Sequence, residues 1–170
     1  MIGQQLTSAA SAASNLQELF LDTSFADHSP ELLSEMLQSS SLPKLKTFVL
    51  SSTLLWLADL DVFLRRRSSH ITEFHVYGLK SLDATEAGVR EFLETLRDHM
   101  KLAKLSLNVL LTTEGFVSYP GMQFGTITDR ENEDGYIEID HIDVHKLPLL
   151  DAKDIHEGLT DALSCLRVGR

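Results

Sequence analysis

The apolar positions of this chain alternate between two spacings. The pattern apolar-x-x-apolar-x-apolar occurs four times, beginning at Leu16, Leu45, Ile71 and Leu102, so that successive starts lie 29, 26 and 31 residues apart. Its last two apolar residues are separated by one position, which places Leu19 with Leu21, Phe48 with Leu50, Phe74 with Val76 and Leu105 with Leu107 on one face of a strand. Between the strands the spacing lengthens to three and four. Ser29 can cap a helix with Pro30 at its first position, followed by Leu32, Leu33, Met36 and Leu37. Thr53 can cap a second, with Trp56, Leu57, Leu60, Phe63 and Leu64 as its stripe. Asp83 and Glu86 form a capping-box-like pair before Val89, Phe92, Leu93 and Leu96. The predicted order from Leu16 to Leu107 is therefore β-α-β-α-β-α-β, as parallel neighbouring strands require.

Beyond Leu107 the regularity weakens. Segments near Gln123–Thr128 and Tyr136–Asp140 flank the polar stretch D-R-E-N-E-D-G and predict a hairpin with Gly135 at its turn. A last helix is predicted after Asp151, from Ile155, Leu159, Leu163 and Leu166.

Composition turns this pattern into an expectation of one folded domain over residues 1–170, with the clearest repeats at 15–111 and an irregular segment at 112–170. An apolar fraction of 43% with four prolines and nine glycines argues against disorder. The net charge of -10 opposes a nucleic-acid backbone as partner. Arg65, Arg66 and Arg67 read as the solvated C-terminal end of a helix, where cations favour the dipole. Cys165 is the single cysteine, which excludes an intrachain disulfide. The first residues lack the basic and apolar regions of a secretory signal, and no run approaches the roughly 20 apolar residues of a membrane span. The expected location is intracellular, cytoplasmic or nuclear, with no membrane association.

From Leu16 to about Asn108 these residues resemble the leucine-rich repeat family, in particular its longer strand-and-helix repeats. The resemblance implies an α/β fold: a short, irregular solenoid with parallel strands on the concave side and helices on the convex side. The family often carries asparagine or cysteine eight residues after the first pattern position; here those places hold Ser24, Thr53, Leu79 and Leu110, so an uneven arc is expected. The repeats are also similar to the C-terminal part of fungal F-box proteins, in which an F-box docks to a ubiquitin-ligase scaffold while the repeats engage a substrate. Fifteen residues precede the first pattern, too few for an F-box, so the resemblance implies a repeat-only relative or a substrate-recognition fragment of such an adaptor.

In that architecture the side chains between the apolar ones face the concave surface. One cross-strand row would hold Phe20, Val49, His75 and Ser106, and a second Asp22, Ser51, Tyr77 and Asn108; exposed aromatic area beside hydroxyls and an imidazole suits a polypeptide partner. The expected function is a non-enzymatic protein-interaction module without cofactor or metal. Two alternatives belong to other classes. His141, Asp143 and His145 alternate along one segment and have the donor types of a small metal-dependent hydrolase, though a solvated edge strand explains them as well. Exposed repeat ends could instead assemble copies into a homo-oligomer. No nucleophile elbow, phosphate-binding loop or dinucleotide turn is present in the sequence.

Overall fold

Each strand starts two residues into its short apolar pattern, and the second, third and fourth carry on past it to a length of nine residues. A computed structural model describes residues 14–23, 30–39, 42–112, 115–118, 130–131, 137–138 and 150–169. The strands β1 (Glu18–Asp22), β2 (Thr47–Leu55), β3 (Glu73–Ser81) and β4 (Lys104–Thr112) pair in parallel and in sequence order. The first pattern position leads each strand into the core: Leu45, Ile71 and Leu102 are all buried. Phe48, Leu50, Phe74, Val76 and Leu105 follow on the same side, and the period of two that predicted them is the period of the pleat.

That alternation is reset once in β2 and once in β3. Ser52 has φ 47° and Gly78 has φ 78°, both in the left-handed region. They fall between the register pairs Ser51↔Tyr77 and Thr53↔Leu79. After this shared irregularity the odd-numbered positions turn inward, so Thr53 and Leu79 are each only 1% exposed and Leu55 and Ser81 are buried with them. Glycine adopts such a backbone without steric cost, whereas serine at position 52 is held there by its surroundings. One restraint is visible: Thr23 Oγ1 donates to the Ser52 carbonyl at 2.8 Å.

Three helices cover one face of the four parallel strands. They are α1 (Pro30–Ser39), α2 (Leu57–Arg67) and α3 (Glu86–Asp98), and each packs beside the next. Leu33, Met36 and Leu37, then Leu57, Leu60, Phe63 and Leu64, then Val89, Phe92, Leu93 and Leu96 are the buried stripes. Between α1 and α2, the Asp59 carboxylate accepts from the Ser34 hydroxyl and from Gln38 Nε2, the latter at 3.0 Å. The centre is aromatic: Phe48 lies 5.2 Å from Phe63 and 5.8 Å from Phe74, and Phe74 meets the edge of Phe92 at 6.4 Å between ring centroids.

The helix starts differ from those expected. Thr53 lies inside β2 and Trp56, expected on the helical stripe, is the N-cap of α2 without a side-chain cap bond of its own. Asp83, expected to cap α3, instead reaches back to α2, where its carboxylate accepts from the Leu57 amide at 2.7 Å and the Ala58 amide at 3.3 Å. Ser81 Oγ donates to the same carboxylate and accepts from the Ala84 amide. Thr85 takes over as the cap of α3, accepting from the Gly88 amide at 3.2 Å. A single loop thus closes two helices. Ser29 lies outside the described residues.

The three arginines do end α2. Arg65 pairs with Asp61 at 2.6 Å and Glu91 at 3.3 Å, Arg66 donates to the Gln38 carbonyl, and Arg67 lies over the Phe63 ring.

The second edge of β4 is antiparallel. It pairs with β5 (Gly115–Ser118) through Leu111 and Thr112, and with β8 (Leu150–Asp151) through Lys104 and Leu105. The helix α4 (Ala152–Cys165) packs on α3 and leads into β9 (Arg167–Gly169), which pairs with β5. Arg90 Nη1 fastens α4 by donating to the Leu163 carbonyl at 2.9 Å. The hairpin expected around residues 129–135 is a two-residue ladder of β6 (Arg130–Glu131) with β7 (Ile137–Glu138). Its first strand therefore sits inside the polar stretch, and residues 123–128 lie outside the described residues.

This architecture corrects the solenoid expectation. The parallel sheet is not strongly curled; it is a small sheet with helices packed on one face, and a leucine-rich repeat arc does not describe it. The reason is visible where the repeat family would turn. Thr53, Leu79 and Leu110, which stand in place of the turn asparagine, form one register row in mid-strand, so the chain extends the ladder where a repeat would bend away. With the solenoid falls the likeness to a fragment of an F-box protein, which rested on it.

Candidate binding face

On the side of the parallel sheet opposite α1–α3, alternate residues of the strands meet in cross-strand rows. Register pairs Phe20 with Val49, Val49 with His75 and His75 with Ser106. One step along, Asp22 pairs with Ser51, Ser51 with Tyr77 and Tyr77 with Asn108. All eight candidate residues therefore lie in two adjacent rows, spanning neighbouring strands about 4.8 Å apart.

Their environments grade across the sheet. Phe20, on the outer strand, is 61% exposed, whereas Ser106 on β4 is 4% exposed. Val49, Ser51, His75 and Tyr77 are half-buried between them. The His75 and Tyr77 rings stack, with centroids 6.1 Å apart and planes 5° from parallel, because residues two apart on a strand share a face. Phe20 is thus an exposed ring at the open end of a row that leads to a stacked aromatic pair.

A third row was missed by the sequence reading. Glu18, Thr47, Glu73 and Lys104 are register partners one step before the first row, and Lys104 Nζ meets Glu73 at 2.9 Å. The signal was present, since the same two-residue step that produced the other rows leads back to these positions. With Asp22 in the second row, Glu18 and Glu73 make the rim of the aromatic surface largely acidic.

His75 sits within that rim with a side chain 12% exposed and Nε2 4.0 Å from Glu73. Burial holds its imidazole below the ordinary value; Glu73 acts in the opposite direction, and Lys104 adds to the lowering. Its Nδ1 is buried without a hydrogen-bond partner among the described residues. A folded-state value below the unfolded one means that the unfolded chain binds the proton more readily. The stability contributed by neutral His75 is then present above about pH 6.5 and is lost as pH falls through the lower folded value. Urea midpoints at pH 7.5 and pH 5 should accordingly show a smaller acid loss in His75→Asn than in the parent chain. Equal losses would contradict this assignment.

Other surfaces offer less. A groove of about 670 Å³ runs along the outer side of α3, but its charged groups are already paired, Arg65 with Glu91 between helices and Arg90 with Glu86 along α3. No cluster of three or more metal-ligating side chains occurs among the described residues, and Asp140–His145 lies outside them. No helix among the described residues is long and apolar enough to cross a membrane.

No family model matches this chain, and neither a curated protein nor a solved structure is significantly similar to it.

Proposed function

We propose that this chain is a polypeptide-binding module that takes its partner on the face of the parallel sheet opposite α1–α3. The observation that carries the reading is Phe20, the most exposed of the large apolar side chains among the described residues, in register with Val49 and His75 and one row from Tyr77. Interface affinity concentrates in a few aromatic anchors surrounded by polar groups that exclude water. Phe20 and Tyr77 supply the anchors, and Glu18, Asp22 and Glu73 supply an acidic surround. The mechanism is surface complementarity, with no turnover.

Affinity capture with the whole chain tests the reading. A partner held through this face should bind at least tenfold more weakly to the Phe20→Ala, Tyr77→Ala double variant, a loss of about 1.4 kcal/mol or more. Undiminished binding by a variant with a native circular dichroism spectrum would reject the surface.

A further inference from the structure

From the edge of the sheet we infer the form and charge of the partner: an extended segment that adds to β1 as a further strand and carries basic residues on both sides of an apolar one. This rests on the binding reading above and deepens it. Among the described residues β1 has a strand on one side only, that of β2.

Backbone direction follows from the bonds that flank the ladder. The Gln17 carbonyl accepts from the Lys46 and Thr47 amides, and the Thr23 amide donates to the Ser51 carbonyl. Both residues turn their polar groups toward β2. Because neighbouring residues of a strand turn their N–H and C=O groups to opposite sides, Leu19 and Leu21 also face β2, whereas Glu18 and Phe20 face outward. Glu18 and Phe20 therefore present backbone groups to an incoming strand and side chains to the open face at the same time. Main-chain bonds of this kind give affinity, and alternate side chains give selectivity.

The side chains then state what fits. Phe20 is flanked at two residues' distance by Glu18 and Asp22, and all three side chains are exposed. A second copy is a poor occupant. Antiparallel pairing centred on Phe20 would set Glu18 against Asp22 of the other copy twice, and parallel pairing in register would set each carboxylate against its own image; like charges directly opposite destabilise a strand pair. Each copy would also bring a formal charge of -10. A strand with lysine or arginine two residues either side of an apolar residue reverses every one of these contacts.

The test uses two seven-residue peptides with threonine at alternate positions, one carrying lysine-leucine-lysine on its other face and one carrying glutamate-leucine-glutamate. In titrations followed by NMR of the whole chain, the lysine peptide should bind at least tenfold more tightly than the glutamate peptide, with shifts centred on β1. The Glu18→Lys, Asp22→Lys double variant should invert that preference. N-methylation of the peptide amides that would face β1 should abolish binding. Equal binding of the two peptides, an uninverted preference, or an unaffected N-methylated peptide would each overturn the strand-addition proposal. So would light scattering that shows the chain pairing with itself through β1, judged by loss of the dimer in the same double variant. If a captured partner depends on Phe20 and Tyr77 while the peptides fail, the binding face stands and strand addition falls; if Phe20→Ala and Tyr77→Ala leave that partner unaffected, both fall.

Discussion

Replacing Phe74 by alanine is expected to lower unfolding stability by about 3–5 kcal/mol, the range for truncating a buried aromatic ring. Phe74 is fully buried and lies between the two halves of the core. It stacks on Phe48 from the neighbouring strand, with the planes 28° apart, and receives the edge of Phe92 from α3. Removing the ring loses its transfer from water, leaves a cavity between sheet and helix layer, and breaks both aromatic contacts. Phe74→Leu keeps most of the volume and should cost considerably less. Denaturant titrations give both values from the shift in midpoint at unchanged slope. A loss below about 1 kcal/mol for the alanine variant would mean that Phe74 does not join the two layers.

Asp83→Ala carries the second largest expected effect, about 1–2 kcal/mol, at the upper end for one capping residue. Its carboxylate accepts from two amides at the start of α2 and from the Ser81 hydroxyl, although it belongs to the loop before α3. Truncation exposes those two amides, removes a negative charge from a helix N-terminus and loosens the loop that also starts α3. Asp83→Asn retains an acceptor oxygen and should recover part of the loss. By contrast, Thr85→Ala affects the α3 cap alone and should cost about 1 kcal/mol or less. If Thr85→Ala proved the more damaging, the link between the two helix starts would be wrong.

The distance between what the pattern predicted and what the chain forms is informative. The order of the parallel strands and their register rows followed from the two-residue period, because a pleat fixes which side chains share a face. Leu19, Phe48, Phe74 and Leu105 lie across from one another for that reason alone. The same pattern misled about overall shape. Curvature depends on what the chain does after the last apolar position, and there Thr53, Leu79 and Leu110 continue the ladder. Resemblance over the first six residues of each unit says nothing about that continuation.

Helix boundaries erred for a related reason. Asp83 has the right residue type and position to cap the helix that follows it, and local spacing cannot reveal that the N-terminus of α2 lies within its reach. Likewise Glu73 and Lys104 are separated by 31 positions, and only register makes them an ion pair. The exposure gradient from Phe20 to Ser106 is a tertiary property in the same sense. Sequence placed the residues in rows; the packing around each row decides which end is exposed.

Amide hydrogen exchange on the whole chain, free and in complex with its captured partner, tests the binding face most directly. Exchange in Glu18–Asp22 should slow on complex formation, with the outer side of Glu86–Asp98 unchanged. Protection confined to Glu86–Asp98, with Glu18–Asp22 exchanging as in the free chain, would contradict it.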